Sequence, residues 1–380
     1  MRMMLDRRSL LLSGLASVFS PLRAEFTELW LFIGGSAKGS GQGIMACKFD
    51  GRLGAFGPVK LAVESVNPTF LALRRSGDFL YAANEIDNFK GTSAGALSAF
   101  RVKPGAGQLT LINQVSSRGP GPCHVSIDHT GRTLLAANYS GGSVVACPIR
   151  EDGSLGEATS FFQDTGKGPN AERQEGPHAH SIIAEPGNRF AIAADLGTDE
   201  LRVYRLDAGA ARLTPNDPPM VKLQPGSGPR HFTFHPNTMV AYAIDELDST
   251  VTVFDWNGAR GALKPLGRYS TLPAGFKGSN TTAEIVVSPN GHSVYASNRG
   301  HNSIAVLRTS DSGRKLELIQ NVPTKGKTPR NFVLAPGLPW MLVANQDSDN
   351  VVLFGVETDG TLKETSLQIS TPKPMCLRFA

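Results

Sequence analysis

One feature of this sequence constrains the fold more than any other: a plan of two short strands that recurs six times. In each copy a proline or small polar residue leads into a first strand, a turn follows, and a second strand ends in a small residue and then Asn or Asp. The leading residue recurs about every 50 residues, which is the length of a four-stranded β-propeller blade. The copies span residues 67–85, 121–139, 176–196, 228–246, 280–299 and 328–346.

Further strands follow the copies and complete a four-stranded unit. Segments with alternating or β-branched character, such as 143–149, 250–256 and 350–356, come next and end in turns of the Asp-Gly or Gly-X-Leu kind. The 41 glycines and 25 prolines suit many short strands joined by turns. These patterns predict an all-β chain without sustained helices.

The seventh unit is divided between the two ends of the chain. Residues 373–380 match the first strand of a unit, whereas residues 29–36 match the second strand and 43–54 the third strand with its turn. A ring needs its last edge sealed because an open edge leaves backbone groups unpaired. We therefore predict one seven-bladed β-propeller domain over residues 25–380, closed by a blade that both termini share.

Residues 1–24 have the character of a targeting signal. A basic start is followed by the apolar stretch Ser9–Phe19, which is shorter than the ~20 residues of a membrane span. The run Asp6–Leu11 resembles a twin-arginine signal, although Asp6 precedes the arginines and the sequence before Ala24 is a poor cleavage site. An ordinary signal or an uncleaved anchor is the alternative. We expect export to the periplasm or medium, with no stable membrane insertion once the signal is removed.

Charge and cysteine content limit the partners of the exported chain. Residues 1–24 carry four arginines and one aspartate, so their removal lowers the formal charge from +5 to +2. With no stripe of basic and aromatic residues, nucleic-acid binding is not expected. The four cysteines lie in apolar, strand-like stretches, which favours buried thiols over disulfides. A closed ring hides its strand edges, so we expect a monomer.

Two positions of each unit should converge on one end of the central channel, here called the mouth. One is the start of the first strand, and the other is the residue that follows the closing Asn or Asp of the second strand. Four of the eight histidines occupy these positions together with three arginines, which predicts an anion-binding or hydrolytic site with carboxylates as general-base candidates. The candidates are His124, His178, His180, Arg230, His231, Glu284, Arg330 and Asn331, and after the second strands Glu85, Tyr139, Leu196, Glu246, Arg299 and Gln346.

Several of these residues also have a purely structural interpretation. His124 can satisfy a backbone group, the arginines can brace neighbouring blades, and Glu246 can be their counter-ion. His178 and His180 stand at alternate strand positions and should face one side. The sequence has no HExxH, GxSxG, Walker or dinucleotide motif, so we predict neither a metal, a cofactor nor a serine nucleophile.

The segments GPHAHSI, GSGPRHFTFHP, DELDSTVTVF, SNRGHNSIAVL and TPRNFVLAPG together resemble the lactonase family of seven-bladed β-propellers, over roughly residues 29–380. That family contains the propeller-type 6-phosphogluconolactonases and the carboxy-cis,cis-muconate lactonizing enzyme. The resemblance implies a lactone ring opened or closed without an obligatory metal. Matched by motif, it implies His178 or His180, Arg230, Glu246 and Arg299 as catalytic residues. His124, His231, Glu284, Arg330 and Gln346 are then expected substrate contacts.

The resemblance predicts a carbohydrate-metabolism hydrolase that opens a small sugar lactone. Arg230 and Arg299 would hold an anionic group or the oxyanion, Glu246 or a histidine would deprotonate water, and a histidine would protonate the ring oxygen. One alternative is an exported propeller that binds a surface partner or glycan, because residues 288–306 also resemble a YVTN-type surface repeat. Another is a muconate-type cycloisomerase. Asp195, Asp245 and Leu196 depart from the family pattern and leave the substrate open.

Overall fold

The computed structural model describes residues 28–39 and 42–380, which form seven antiparallel sheets. Six sheets have four strands and one has five, and the first strands of neighbouring sheets contact one another all the way around a ring. The predicted seven-bladed β-propeller is therefore confirmed. The predicted signal, residues 1–24, lies outside the described residues.

The strands of the ring, numbered in chain order, are β1 (Glu28–Gly35), β2 (Gly43–Asp50), β3 (Ala55–Phe56), β4 (Lys60–Glu64), β5 (Pro68–Leu73), β6 (Phe79–Asn84), β7 (Ala96–Lys103), β8 (Gln108–Ser116), β9 (Pro122–Ile127), β10 (Thr133–Asn138), β11 (Ser143–Pro148), β12 (Ser160–Gln163), β13 (Ala179–Ala184), β14 (Phe190–Asp195), β15 (Glu200–Asp207), β16 (Arg212–Lys222), β17 (Pro229–Phe234), β18 (Val240–Asp245), β19 (Thr250–Asn257), β20 (Ala262–Ser270), β21 (Thr281–Val287), β22 (Ser293–Arg299), β23 (Ser303–Ser310), β24 (Lys315–Pro323), β25 (Pro329–Leu334), β26 (Trp340–Asn345), β27 (Asn350–Val356), β28 (Leu362–Ser370) and β29 (Pro374–Phe379). Blades 1 to 6 are β5–β8, β9–β12, β13–β16, β17–β20, β21–β24 and β25–β28, and blade 7 combines β29 with β1–β4. The helices in the described part of the chain are single 3₁₀ turns at Asp311–Gly313 and Gln346–Ser348, and none is long or apolar enough to cross a membrane.

Blade 7 closes the ring in the way that the sequence predicts. Strand β29 pairs antiparallel with β1, which in turn pairs with β2. At the outer end of this pairing Trp30 and Ala380 exchange two backbone hydrogen bonds of 3.1 and 2.8 Å. The backbone groups at both ends of the described chain are thus satisfied inside one sheet.

Buried tyrosines tie neighbouring blades together. Tyr81, Tyr242 and Tyr295 occupy the middle of second strands and are fully buried in the apolar layers between blades. Each phenol hydroxyl needs a hydrogen-bond partner in such a setting. Each one donates to a turn carbonyl of the following blade at 2.7–3.0 Å, and the acceptors are Gly153, Gly313 and Gly360.

The closing Asn of the second strand fixes the chain at the mouth. Asn138, Asn298 and Asn345 are buried, and each donates its side-chain amide to a backbone carbonyl of the segment entering its own blade, at 2.9–3.0 Å. In blade 3 the closing residue is Asp195, whose Oδ1 instead accepts backbone N–H groups, including that of His178 at 2.9 Å. The backbone of the residue that follows is therefore held in place at the mouth.

Candidate active site

Residues from the predicted positions converge on a cavity of about 220 Å³, here called the site cavity. The candidates that line it are Glu85, Tyr139, His180, Glu246, Arg299 and Arg330. The other lining residues are Cys123, Arg173 and Thr281.

A β-bulge decides which side chains reach the cavity. At the start of the first strand in all seven blades the register with the second strand shifts, so that one residue of the first strand, or two in blade 5, has no direct partner. Bulges re-aim side chains and are common beside active sites. The unpaired residue is Cys123 in blade 2, His180 in blade 3, Arg230 in blade 4 and Arg330 in blade 6. Three of these four line the cavity, whereas the residues that follow them do not.

Glu246 is the electrostatic centre of the cavity. Its Oε1 lies 2.7 Å from Arg173 Nη2, and its Oε2 lies 3.0 Å from Arg230 Nε and 2.7 Å from Arg299 Nη2. The Arg173 contact has hydrogen-bond geometry, while the other two are ion pairs by distance. Burial would raise the pKa of Glu246, but Arg299, Arg230 and Arg173 together lower it to about 2. Glu246 is therefore a carboxylate with both oxygens engaged.

Arg230 lies behind the cavity wall rather than in it. The side chain is 3% exposed, and Nη1 donates to the Ala283 carbonyl at 2.7 Å and to His231 Nε2 at 3.1 Å. Burial, together with Arg299 and Arg330, lowers the pKa of Arg230 to about 9, so the guanidinium stays largely charged at pH 7. Arg230 therefore affects the cavity by holding the Glu246 carboxylate, which does line it.

His231 and Glu284 form a buried layer beneath the cavity and do not line it. His231 Nδ1 donates to Glu284 Oε1 at 2.9 Å, which fixes the tautomer because Nε2 accepts from Arg230. The other Glu284 oxygen accepts from the Asn331 amide, and Asn331 Oδ1 accepts the Leu377 N–H at 2.9 Å. This chain of bonds joins blades 4, 5, 6 and 7, so both residues brace the ring, and their substrate contact stays a prediction.

His124 also sits below the cavity. It is 6% exposed, packs on the Phe70 ring with centroids 4.4 Å apart, and its Nδ1 accepts the Ile182 N–H at 3.4 Å. Burial lowers the pKa of His124 well below its usual value, with His231 contributing. The geometry matches its structural interpretation.

His178 and His180 both pack against Tyr139, with ring centroids 4.5 and 5.3 Å from its ring, but they take different positions at the mouth. His178 precedes β13, and the bulge falls on His180, so the simple two-residue period does not apply. His178 stacks on Tyr139 with centroids 4.5 Å apart, and its Nε2 lies 3.1 Å from Glu175 Oε1 at the rim. His180 lines the cavity, with Nδ1 3.6 Å from Cys123 Sγ. Burial, then Arg230, lowers the pKa of His180 well below its usual value, which leaves a neutral imidazole at pH 7.

Arg173 is the site residue that the repeat could not reveal. It lies in the long connection between β12 and β13, which belongs to no repeated position. Gln174 anchors this loop because its buried side-chain amide donates to the Leu196 carbonyl and to Asp199, both at 2.8 Å. Arg173 Nη2 also donates to the Tyr139 hydroxyl at 3.2 Å. The sequence signal was the length of the connection, since long ordered loops are frequently functional.

Two charged residues of the cavity, Arg330 and Glu85, form no ion pair within the described part of the chain. Arg330 Nη1 reaches Gln346 Oε1 at 3.5 Å and forms no ion pair with any described carboxylate. Gln346 itself contacts Arg330 but does not line the cavity. Glu85 lines the cavity, and its Oε2 is buried without a hydrogen-bond partner among residues 28–39 and 42–380.

A larger cavity of about 840 Å³ lies at the other end of the ring. It is built by the turns between the first and second strands of blades 5 and 6, which include Pro289, Pro336 and Pro339, and by the turn between the third and fourth strands of blade 6, with Arg52 of blade 7. It lacks the buried arginine–carboxylate cluster of the site cavity, which we take as the functional centre. The described residues contain no group of three or more His, Cys, Asp or Glu suited to a metal ion, and all four cysteines are buried thiols.

The described residues thus form a closed propeller with three arginines and two glutamates lining one mouth cavity. A sequence profile described as "Lactonase, 7-bladed beta-propeller" matches residues 30–379, and the chain belongs to this family. The resemblance found in the sequence is thereby confirmed.

Named relatives and a solved structure cover nearly the whole chain. The chain is 35% identical to the 6-phosphogluconolactonase of Bacillus subtilis over 349 residues, which is 92% of this chain and 97% of the relative. A 6-phosphogluconolactonase of Formosa agariphila is 34% identical over 85% of this chain and 91% of its own. The structure of a periplasmic gluconolactonase from Pseudomonas aeruginosa superposes with a TM-score of 0.86 at 32% identity, covering 93% of this chain and 99% of that chain.

Proposed function

We propose that this chain is a carboxylic-ester hydrolase that opens the ring of a small sugar lactone in the site cavity. The observation that carries the proposal is the convergence of Arg173, Arg299 and Arg330 on one small, partly enclosed space. Guanidinium groups aimed at a carbonyl stabilise the oxyanion that forms when water attacks. The names of the relatives support the same reaction.

Arg330 and Arg299 are the groups that we assign to the substrate. Arg330 has no carboxylate partner in the described chain, so its donors are available to a carbonyl oxygen or an anionic substituent. Arg299 shares its charge with Glu246 but still lines the cavity. A cavity of about 220 Å³ is smaller than most drug-sized pockets and suits a single sugar ring.

The geometry changes the expected role of Glu246. A carboxylate with a pKa of about 2 and three guanidinium partners is a weak base. We assign Glu246 to holding the arginines in place. His180, being neutral, donates a hydrogen bond from its ring N–H to a lactone oxygen and is not the imidazolium acid of the simplest scheme.

We propose further that residues 25–380 work outside the cytoplasm on an unphosphorylated sugar lactone. The twin-arginine-like segment predicts export, and one relative is described as a periplasmic gluconolactonase. A binding propeller would be favoured by an uncharged mouth, whereas this mouth is lined by five charged side chains. No particular contact favours a cycloisomerase.

Purified protein spanning residues 25–380 tests the proposal. Hydrolysis of glucono-δ-lactone and of its 6-phosphate is followed with a pH indicator, with and without chelator. We expect Arg330→Ala to lower kcat/KM on the better substrate by about 100-fold, because a charge-assisted contact to the transition state is lost. Arg308→Ala, on an exposed side chain 3.9 Å from Glu317, is the matched control and should retain activity. A folded wild type that adds nothing to the spontaneous rate would exclude a lactonase for these substrates.

A further inference from the structure

Glu85 has a fixed backbone and an unengaged carboxylate. It follows Asn84, the residue that closes the second strand of blade 1. Its N–H donates to the Asn67 carbonyl at 3.0 Å, and the Asn67 side-chain amide donates back to the Glu85 carbonyl at 2.5 Å. Two reciprocal bonds therefore hold the residue at the mouth, which is the pre-organisation that a catalytic group requires.

The carboxylate of Glu85 lies in the cavity without a counter-ion. No described Lys, Arg or His forms an ion pair with it, and its buried Oε2 accepts no hydrogen bond in the described part of the chain. A buried carboxylate oxygen without a partner is costly, and such groups are usually satisfied by water or ligand. Glu85 is also one of the residues that line the cavity in which a lactone and its attacking water would lie.

Other cavity groups are poorly suited to accept a proton. Both oxygens of Glu246 are occupied by arginines. Burial lowers the pKa of His180 well below its usual value, so its imidazole is a weak base. Burial also raises the pKa of the Cys123 thiol and of the Tyr139 phenol, so both keep their protons at neutral pH.

We propose that Glu85 is the general base of this enzyme, an assignment that rests on the proposed lactone hydrolysis. The oxygen of a water molecule forms a bond to the lactone carbonyl carbon while one of its protons moves to the Glu85 carboxylate. The tetrahedral oxyanion faces the arginines, then collapses and breaks the bond between the carbonyl carbon and the ring oxygen. Protonated Glu85 gives the proton to that ring oxygen, which yields the open-chain hydroxy acid and regenerates the carboxylate.

Glu85→Gln is the direct test, because the amide keeps the shape but cannot take the proton. We expect kcat to fall by about 10²–10⁴-fold, with KM changed less than about threefold and the melting temperature unchanged. Asp87→Asn, an exposed carboxylate two residues away, is the matched control and should behave as wild type.

A second variant separates proton transfer from packing. In Glu85→Ala, added formate or acetate should restore part of kcat, since a small carboxylate can enter the space left by the side chain. Absence of rescue in both salts, or a Glu85→Gln variant that keeps more than about half of the wild-type kcat, would overturn the assignment while lactone hydrolysis itself stands. A wild type without turnover would overturn both proposals, so the two failures are distinguishable.

Discussion

Glu246 and Glu85 occupy equivalent positions in blades 4 and 1, each directly after the residue that closes the second strand. Both line the same cavity. Three arginines engage Glu246, whereas Glu85 keeps a buried oxygen without a described partner. The repeat therefore determines where a glutamate stands, and the neighbouring blades determine what it can do.

The difference can be traced to two aligned positions and one insertion. Arg230 follows the leading proline of blade 4, where blade 1 has Thr69. Arg299 follows the closing Asn298 in the blade after that of Glu246, and the blade after that of Glu85 has Tyr139 at the same position. The third partner, Arg173, comes from the loop outside the repeat. Glu246, with arginines at all three places, has both oxygens occupied. Glu85, without them, keeps an oxygen that can bind water or substrate.

Glu246→Gln is expected to have the largest effect and tests whether Glu246 is an anchor. The change leaves two buried guanidinium groups, Arg230 and Arg299, beside each other without a counter-charge. Removing one partner of a buried ion pair costs about 3–5 kcal/mol, so urea-induced unfolding of Glu246→Gln should show a loss of that size. Glu85→Gln, by contrast, should change the free energy of unfolding by less than about 1 kcal/mol.

The pH dependence gives this prediction a sign. The pKa of Glu246 is lowered in the folded protein from its ordinary value of 4.5 to about 2. Its contribution to stability is therefore complete above about pH 4.5 and is lost as the pH falls towards 2. The stability gap between wild type and Glu246→Gln should narrow over that range. Equal destabilisation by Glu246→Gln and Glu85→Gln, or a gap independent of pH, would contradict the comparison.

Arg173→Ala should have an intermediate effect, because it releases one oxygen of Glu246 while Arg230 and Arg299 remain. The Arg173 side chain is 37% exposed, so solvent screens its ion pair and the change in stability should be small. We expect kcat/KM to fall about tenfold, because the cavity loses one guanidinium and the loop loses its contacts to Glu246 and Tyr139. Lys167→Ala, on an exposed residue of the same loop, is the control. If Arg173→Ala has the same kcat/KM as wild type, this loop does not contribute to the active site.

The fold could be predicted further than the site. The repeat predicted where the strands end and that the two termini share a blade. It does so because the closing Asn recurs for a physical reason: its side-chain amide donates a hydrogen bond to the backbone that enters the same blade. The same logic predicted that His180, Glu246, Arg299 and Arg330 would meet at the mouth, as the cavity shows. A family profile and a structural relative confirm the fold independently.

The repeat could not predict which way each side chain points or which charged groups form ion pairs. The bulge at the first strand places Cys123 at the cavity and His124 below it, although a strict alternation gives no reason to prefer either. Arg173 lies outside any repeated position. The partners of Glu85 and Glu246 depend on contacts between blades, and those contacts require the closed ring.

Asp245→Asn is expected to have the smallest effect, and it compares Glu246 with its direct neighbour. Asp245 is fully buried and accepts hydrogen bonds from Thr252 and Thr250 at 2.6 and 3.0 Å, while the nearest Arg268 nitrogen is 4.0 Å away. Burial raises the pKa of Asp245 from 3.8 to about 7, the opposite direction to Glu246. Its contribution to stability is therefore complete below about pH 4 and is lost as the pH rises through 7.

Asparagine at this position does not titrate, and blades 1, 2, 5 and 6 already have it there. Asp245→Asn should therefore flatten the pH dependence of the melting temperature, with a gain of about 1 kcal/mol over wild type above pH 7 and a smaller difference at pH 5. Asn298→Asp, the reverse change in blade 5, loses the bond to the Thr271 carbonyl and should become less stable as the pH rises. If the melting temperatures of wild type and Asp245→Asn change with pH in parallel, the threonine hydroxyl groups stabilise the charged Asp245 as well as the arginines stabilise Glu246. If the wild type alone loses stability as the pH rises through 7, the charged Asp245 is destabilising, and a buried carboxylate at the mouth needs guanidinium partners like those of Glu246.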